Sequence, residues 1–198
     1  FGHAGTTHHC TEDFAIMRAI PNMTVICPAD ANETREAVKA IARMDGPCYL
    51  RLNRNDYPNV TEEGAPFEIG VPKLLKDGTD IALFAVGYMT GVALEAAREL
   101  EGSISVRVIN VSTIKPMDKE MIRKMAEGCR AVVTAEEHNV AGGLGSAVAE
   151  ALCENPIPMK MVGIKDTFGC SGHNYQEVLA YHGLTREAVA EAVREMAG

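Results

Sequence analysis

Hydrophobic and polar positions along this chain recur with two periods, which predict helices and strands in alternation. In residues 31–44 the apolar side chains lie three or four positions apart, as on one buried face of a helix. Short apolar runs at residues 23–27 and 48–52 predict two buried strands, and residues 12–20 predict an earlier helix. This order predicts parallel pairing through right-handed crossovers. Because two strands cannot enclose a core, we expect this first block to end a larger α/β domain and to expose an apolar face.

The rest of the chain repeats the alternation more completely after a polar stretch, residues 53–72, that has little periodicity. Strands are predicted at residues 80–86, 105–111, 130–135 and 160–164, and helices at residues 91–101, 118–126, 143–154, 174–181 and 185–196. Such alternation predicts a doubly wound, mostly parallel α/β sheet. We therefore divide the chain into the C-terminal part of one α/β domain (1–60), a linker (61–75) and a second domain (76–198).

Composition and charge narrow the classes of function. With 46% hydrophobic and 23% charged residues, the chain is typical of a globular protein. Its net charge of −8 argues against nucleic-acid and anionic-membrane partners, which attract a basic face. Neither a run of about 18 apolar residues nor a signal-peptide pattern occurs, so a cytoplasmic protein is expected. Because the chain opens on Phe1 in a loop-like segment, we expect a processed or truncated product.

Cysteines and histidines, the common zinc ligands, give only a weak metal signal. The six cysteines form no CxxC pair and mostly occupy apolar patterns, which favours buried free thiols over disulfides or a zinc site. His3, His8 and His9 share a Gly/Thr-rich segment, but adjacent side chains diverge and no ligand follows at helical spacing. Such a loop better suits one histidine in acid–base work or in hydrogen bonding to a polar substrate. A solvated loop histidine is the alternative.

Two arginines, Arg51 and Arg54, follow the second predicted strand. The carboxyl ends of strands in α/β sheets face ligand crevices, and a guanidinium there can bind a phosphate or carboxylate through two parallel hydrogen bonds. A surface ion pair is an equally good interpretation of the spacing.

A glycine-rich segment, residues 134–146, follows a strand and opens a helix. Glycines at such a turn can expose backbone N–H groups to an anion, but the spacing is not GxGxxG and no P-loop lysine follows. Tight packing of strand against helix is therefore the favoured interpretation. Glu136, Glu137 and His138 could line a crevice or a subunit contact, and the sequence does not decide between these roles.

Several runs of residues resemble the transketolase family. Residues 5–13 (GTTHHCTED), 16–23 (IMRAIPNM) and 27–33 (CPADANE) are similar to the second half of its pyrimidine-binding domain. Residues 134–152 and 163–172 (GIKDTFGCSG) are similar to its C-terminal domain. The resemblance covers nearly the whole chain, and the short pattern is most like the split transketolases, in which two genes encode the two halves.

The resemblance implies a thiamine-diphosphate-dependent transferase of the pentose phosphate pathway, which moves a two-carbon ketol unit between sugar phosphates. In this family the cofactor, held with magnesium, lies at a dimer interface between a pyrophosphate-binding and a pyrimidine-binding domain. Matching motifs place His8 on the catalytic loop histidine that assists proton transfer at the substrate, and Arg54 on the arginine that holds the sugar phosphate. The implied partners are a second copy of the chain, a pyrophosphate-binding N-terminal section and sugar phosphates.

The chain also departs from the family pattern. Ala4 replaces the aspartate that contacts a substrate hydroxyl, which puts a preference for ordinary pentose phosphates in doubt, and His9 replaces a common glutamine. The glutamate that activates the aminopyrimidine and the aromatic that stacks on it would lie before Phe1, and the GDG…N motif for magnesium and pyrophosphate is missing. We therefore expect neither cofactor nor metal ligands in this chain, and no activity from it alone.

Three alternatives remain open at this point. The chain could be a relative of 1-deoxy-xylulose-phosphate synthase, or of the β subunit of a 2-oxoacid dehydrogenase. It could also be a non-catalytic module that supplies dimer contacts. The Thr7-His8 pair and Arg54 favour a phosphosugar over a 2-oxoacid.

Overall fold

Two β-sheets organise residues 2–198, the part of the chain that the computed structural model describes. Phe1, on which the expectation of a processed or truncated product rests, lies outside those residues. The smaller sheet has three strands and the larger sheet has five. Helices cover the sheets, so the chain is an α/β protein as predicted.

The first block contains every element predicted for it. A 3₁₀ turn at Gly5–His8 precedes α1 (Asp13–Ala19), β1 (Thr24–Ile26), α2 (Ala31–Ile41) and β2 (Cys48–Leu50). β1 and β2 pair in parallel, with Val25 opposite Tyr49. Residues 51–72 then follow as turns and extended chain.

The second block holds the four predicted strands, the five predicted helices and two short strands that the sequence pattern missed. Its elements are β3 (Lys73–Lys76), β4 (Ile81–Ala85), α3 (Met89–Glu99), β5 (Val106–Asn110), β6 (Thr113–Lys115), α4 (Lys119–Ala126), β7 (Ala131–Asn139), α5 (Leu144–Leu152), β8 (Met159–Ile164), α6 (Tyr175–Tyr181) and α7 (Arg186–Ala197). The larger sheet runs β3-β5-β4-β7-β8, and only β3 is antiparallel to its neighbour. At its carboxyl end β7 extends four residues past the predicted limit.

The strand β6 leaves the second block and completes the smaller sheet. It pairs antiparallel to β1, so that the order of that sheet is β2-β1-β6. At the end of β6 the Lys115 ammonium donates to the carbonyl oxygens of Arg18 and Ile20, at 2.8 and 2.6 Å, where α1 ends. The two blocks therefore interlock through main chain and side chains.

Side chains on the two faces of the larger sheet form two hydrophobic cores. Alternate residues of β4 point to opposite faces, so Leu83 joins the core under α3 and α7 while Phe84 joins the core under α4 and α5. Phe14 and Val25 of the first block pack into the second of these cores. The first block thus completes its packing on the larger sheet.

Exposed apolar side chains remain on the first block, as predicted. Ile16 is 56% exposed on α1, Ile20 38% just beyond that helix, and Val38 47% on α2. Among residues 2–198, no helix combines the length and the apolar character needed to cross a membrane.

The thiols are all free, but only part of the prediction for them is confirmed. Cys27 and Cys129 are buried, whereas Cys10 and Cys153 are exposed. The expectation of a buried thiol is therefore wrong for those two, because Cys10 lies in the N-terminal loop and Cys153 at the C-cap of α5.

Candidate functional site

A cavity of about 270 Å³ lies between the two blocks. The predicted site residues in its wall are His8, His9, Arg51, Arg54 and Glu137. They come from the N-terminal loop, from the chain after β2 and from β7, which are far apart in sequence. Two further candidates, Glu136 and His138, are buried beside the cavity, and His3 is exposed outside its wall.

His8 is exposed at the mouth of the cavity, and its hydrogen bonding favours one ring tautomer. The Thr7 hydroxyl donates its single proton to the Ala4 carbonyl oxygen at 3.1 Å. With that proton on Ala4, the 2.9 Å contact between Thr7 Oγ1 and His8 Nδ1 is a hydrogen bond donated by Nδ1–H. In that tautomer Nε2 carries the lone pair, as a proton-accepting histidine needs.

The loop that carries His8 is held by the second block. Thr6 donates its hydroxyl proton to the Gly169 carbonyl oxygen at 2.7 Å, and the Gly172 N–H donates to the Gly2 carbonyl oxygen at 2.7 Å. A Cβ on Gly169 would lie only 2.7 Å from the ring of His9, so this glycine permits the close approach. The segment after β8 thereby fixes the position of the histidines.

Arg51 and Arg54 have different environments despite their similar spacing from the strand. The Arg51 side chain is mostly buried, with Nε 3.4 Å from the Asp13 carboxylate and the guanidinium 4.6 Å from the centroid of the Phe14 ring. Tyr49 also donates its phenolic proton to Asp13, at 2.8 Å. The surface ion pair proposed for Arg51 is therefore wrong, because this ion pair is internal.

Arg54 is exposed where the main cavity meets a second cavity of about 360 Å³. The turn around it is closed by Asn53, whose Oδ1 accepts the Asn55 N–H at 2.9 Å and the Asn55 side-chain amide at 3.1 Å. An exposed guanidinium at the edge of a cavity can still reach an anionic ligand, which the buried Arg51 cannot do without losing Asp13.

A triangle of hydrogen bonds joins that turn to the second block. The Asn53 amide donates to the Tyr175 hydroxyl at 2.6 Å and to the Glu137 carboxylate at 3.1 Å. Tyr175 in turn donates its proton to Glu137 at 2.8 Å. Burial and the nearby charge of Glu137 raise the pKa of Tyr175, so the phenol keeps the proton that it donates.

Backbone N–H groups of the glycine-rich segment that follows β7 bind a side chain of β7 itself. The buried Glu136 carboxylate accepts the N–H groups of Leu144 and Gly145 at the start of α5, at 2.6 and 2.8 Å. A Cβ on Gly143 would lie 2.0 Å from a Glu136 oxygen. Close strand-to-helix packing is confirmed, and these two N–H groups already bind an internal carboxylate.

His138 forms a second buried junction between the blocks. Its Nδ1–H donates to the Asn139 carbonyl oxygen at 2.5 Å, so Nε2 is the acceptor for the Phe14 N–H at 3.1 Å and the Ala15 N–H at 3.4 Å. Burial lowers the pKa of His138, which favours the neutral ring that this pattern requires. The ring also stacks on Phe14 with centroids 4.8 Å apart. His138 of β7 thus anchors the first residues of α1 to the second block.

The polar side chains of the described chain do not form a metal site. Residues 2–198 contain no group of three or more His, Cys, Asp or Glu side chains arranged to hold a metal ion. The charged and imidazole side chains at the cavity, two arginines and three histidines with Glu137 and Asp13, do not fit a magnesium diphosphate, which needs several oxygen ligands converging on the metal.

Several polar residues of the cavity wall were not predicted as site residues from the sequence. They include Asp13 and Tyr49, described above, together with Asn53, Tyr175 and His182. Nε2 of His182 lies 3.6 Å from Sγ of Cys170. The position of Asn53 between two candidate arginines was an available signal. The sequence contains no comparable signal for Tyr175 or His182, because both lie in an ordinary amphipathic pattern.

Two family models account for most of the chain. The pyrimidine-binding domain of transketolase matches residues 1–60, and the transketolase C-terminal domain matches residues 70–189. The chain therefore combines two α/β sections of a thiamine-diphosphate-dependent class of enzymes. It belongs to the transketolase family.

Individual relatives and solved structures agree with this assignment. A subunit of the apulose-4-phosphate transketolase of Phocaeicola vulgatus is 39% identical over 197 residues, covering 98% of this chain and 63% of that protein. The 6-deoxy-6-sulfo-D-fructose transketolase subunit of Clostridium sp. (strain MSTE9) is 43% identical over 194 residues, covering 97% and 60%. A solved split-gene transketolase, described as an inactive β4 tetramer, matches with a TM-score of 0.91 and 45% identity, covering 97% and 62%. The chain thus spans about three fifths of the length of these relatives.

Proposed function

We propose that this chain is the C-terminal section of a split transketolase that transfers a two-carbon ketol unit between sugar phosphates. In that reaction the bond between C2 and C3 of a ketose breaks, and the ketol unit joins the aldehyde carbon of an acceptor. The observation that carries the proposal is the shared cavity, in whose wall His8 and Arg54 occur together between the two blocks. We further assign residues 1–60 to the pyrimidine-binding domain, 61–75 to a linker and 76–198 to the C-terminal domain.

Each of the two residues has a role that its chemistry supports. His8, with Nδ1–H directed to Thr7, can exchange a proton at a substrate hydroxyl through Nε2. Arg54 can bind the anionic end of the substrate through paired hydrogen bonds. The names of the two relatives include a phosphate and a sulfo group, and both groups are anions that a guanidinium binds. The substrate of this chain is therefore a sugar with an anionic end. Because Ala4 replaces the aspartate that contacts a substrate hydroxyl in the family, that sugar need not be an ordinary pentose phosphate.

The proposed active form needs a second section. Thiamine diphosphate supplies the carbanion chemistry of the family when it is bound, and the side chains described above do not fit its magnesium diphosphate. We propose that a pyrophosphate-binding section holds the diphosphate and metal, and that this chain alone is inactive. Association with that section and self-association are both part of the proposal, in line with the names of the two relatives, each of which is one subunit of a larger enzyme.

The test uses the complete assembly of this chain with its pyrophosphate-binding section, thiamine diphosphate and magnesium. We expect the His8→Ala variant to lower turnover by about 10²–10⁴, the usual contribution of general acid–base catalysis, while sedimentation shows unchanged assembly. His3→Ala, which changes an exposed histidine of the same segment, is the matched control. Wild-type turnover in His8→Ala would refute the catalytic assignment and favour the non-catalytic alternative.

Analysis of the product distinguishes ketol transfer from the alternative that the chain is a relative of 1-deoxy-xylulose-phosphate synthase. A 1-deoxy-xylulose-phosphate synthase makes a product without a hydroxyl on C1, whereas ketol transfer leaves that hydroxyl in place. Mass spectrometry of the product therefore distinguishes the two reactions, and a 1-deoxy product would overturn the proposal.

A further inference from the structure

We propose that Tyr175, together with Glu137, is a positioning residue for Arg54, so that the C-terminal domain sets the preference for an anionic substrate. This inference rests on the proposed function, since it needs Arg54 to bind the phosphate. It assigns a substrate-related role to α6 and β7, which supply no side chain to the reacting atoms in the proposal above.

The first observation is that the side-chain amide of Asn53 holds the turn that contains Arg54. Asn53 Oδ1 accepts two hydrogen bonds from Asn55, one from its backbone and one from its side chain. The same amide uses its nitrogen on Tyr175 and Glu137. The orientation of this amide is thus set by the second block, and the backbone that carries Arg54 follows it.

The second observation is a row of aromatic rings that brings the other end of the turn to the same tyrosine. Tyr57, three residues after Arg54, packs edge-on against Tyr88 with ring centroids 5.5 Å apart. Tyr88 packs edge-on against Tyr175, again with centroids 5.5 Å apart. The residues on both sides of Arg54 are therefore linked to Tyr175, Asn53 by a hydrogen bond and Tyr57 through the ring of Tyr88.

The third observation is that the hydroxyl of Tyr175 can be removed without disturbing the packing of its ring. Tyr175 is 9% exposed, and the phenol oxygen takes part in two hydrogen bonds, one accepted from Asn53 and one donated to Glu137. A phenylalanine keeps the contact with Tyr88 and loses only those two bonds. Asn53 then has one acceptor fewer, and Glu137 alone holds its amide nitrogen to the second block.

The experiment compares a phosphorylated acceptor with its unphosphorylated counterpart in the complete assembly. The donor is hydroxypyruvate, which carries no phosphate and releases its carboxylate as CO2 when the bond between that carboxylate and the ketol unit breaks. The acceptors are glyceraldehyde 3-phosphate and glyceraldehyde. We expect Tyr175→Phe to raise KM for glyceraldehyde 3-phosphate roughly tenfold, the effect of about one to two lost hydrogen bonds, with kcat changed less than about twofold. KM for glyceraldehyde should change much less, because that substrate has no anionic end.

Three further variants make the result specific. Tyr181→Phe removes an exposed hydroxyl from the same helix and should leave both KM values unchanged. Glu137→Gln tests the second member of the triangle and should act in the same direction as Tyr175→Phe. Adding Tyr175→Phe to Arg54→Ala should cause no further loss of phosphate preference, since the positioned group is already absent.

The outcomes distinguish this inference from the function on which it rests. If Arg54→Ala abolishes the preference for phosphate and Tyr175→Phe leaves it intact, or shifts both acceptors equally, the positioning role is wrong and the proposed function stands. If Arg54→Ala has no selective effect, or the wild-type assembly transfers a ketol unit neither from hydroxypyruvate nor from a ketose phosphate, the proposed function fails and the inference fails with it.

Discussion

At the scale of single residues, Glu136 carries a carboxyl group that is fully buried at the start of α5. Burial raises the pKa of Glu136 from 4.5 to about 7, although the N–H groups of Gly145 and Leu144 act in the opposite direction. The folded state therefore holds a proton on this group more tightly than the unfolded chain does. Its contribution to stability is complete below pH 4.5 and is lost as the pH rises through about 7.

We predict that this loss amounts to about 3 kcal/mol between pH 4.5 and 7, from the difference in pKa. Urea unfolding of the wild type and of Glu136→Gln, whose amide is neutral at every pH, measures it as the change in their difference in unfolding free energy. Glu120→Gln removes an exposed carboxylate and controls for net charge. A difference that stays constant, or that grows in favour of the wild type as the pH rises, would contradict the prediction.

The two arginines at the cavity also show which functional assignments a sequence pattern can support. Arg51 and Arg54 have the same chemistry and nearly the same place along the chain, yet one is committed to Asp13 and the other is exposed. This difference depends on which block covers each side chain, which a local pattern does not contain. The roles of Glu136 and His138 were left undecided for the same reason, since the N–H groups that donate to them belong to the backbone of α5 and α1.

At the scale of elements, α2 begins at an aspartate that does more than cap a helix. Asp30 accepts the Glu33 N–H at 2.9 Å, and its carboxylate also accepts the N–H groups of Val60 and Thr61, both at 2.7 Å. Although burial alone would raise the pKa of Asp30, these hydrogen bonds lower it below the ordinary value. One side chain thus starts a helix and anchors the long connection that leads to β3.

We predict that Asp30→Ala lowers the free energy of unfolding by about 2–4 kcal/mol, because several buried N–H groups lose their acceptor at once. The matched control is Asp118→Ala, which removes the N-cap of α4, an exposed bond to the Met121 N–H at 2.9 Å. Loss of a single cap should cost about 1 kcal/mol. Equal effects of the two variants in urea unfolding would show that Asp30 serves only as a cap.

Prediction of the elements themselves succeeded where periodicity was strong. Helices such as α3 and α7 show a clear apolar stripe, β4 is a continuous apolar run, and three of the five residues of β5 are apolar. The strands β3 and β6 escaped prediction because each has too few consecutive apolar residues, two leucines between lysines in β3 and one isoleucine between threonine and lysine in β6. Their strand conformation comes from a neighbouring strand across the sheet, so only the tertiary structure determines it.

At the scale of the whole molecule, the first block leaves apolar side chains exposed, among them Ile16 of α1 and Ile20 at its C-cap. A solved relative of this fold is described as a β4 tetramer, which shows that similar chains can associate with copies of themselves. We expect a second copy of this chain to cover Ile16 and Ile20.

We predict that Ile16→Glu weakens self-association at least about tenfold, because a carboxylate would have to lose its hydration at the contact. Sedimentation velocity over a range of concentrations measures the shift towards monomer. Leu74→Glu makes the same change at a side chain that is 48% exposed on the edge strand β3, and should leave the association unchanged. Association of Ile16→Glu at wild-type strength would place the contact elsewhere.

The passage of β6 into the smaller sheet has a consequence for how the chain is made. Thr113 leaves the ribosome 63 positions after Leu50, which is a delay of about 3–13 s at ordinary rates of synthesis, roughly 5–20 residues per second. Throughout that interval the edge of β1 that β6 will occupy is open to other strands. A nascent chain of this protein therefore passes through a period in which its first strands are vulnerable to mispairing, and a gene broken between residues 60 and 113 would make that state permanent.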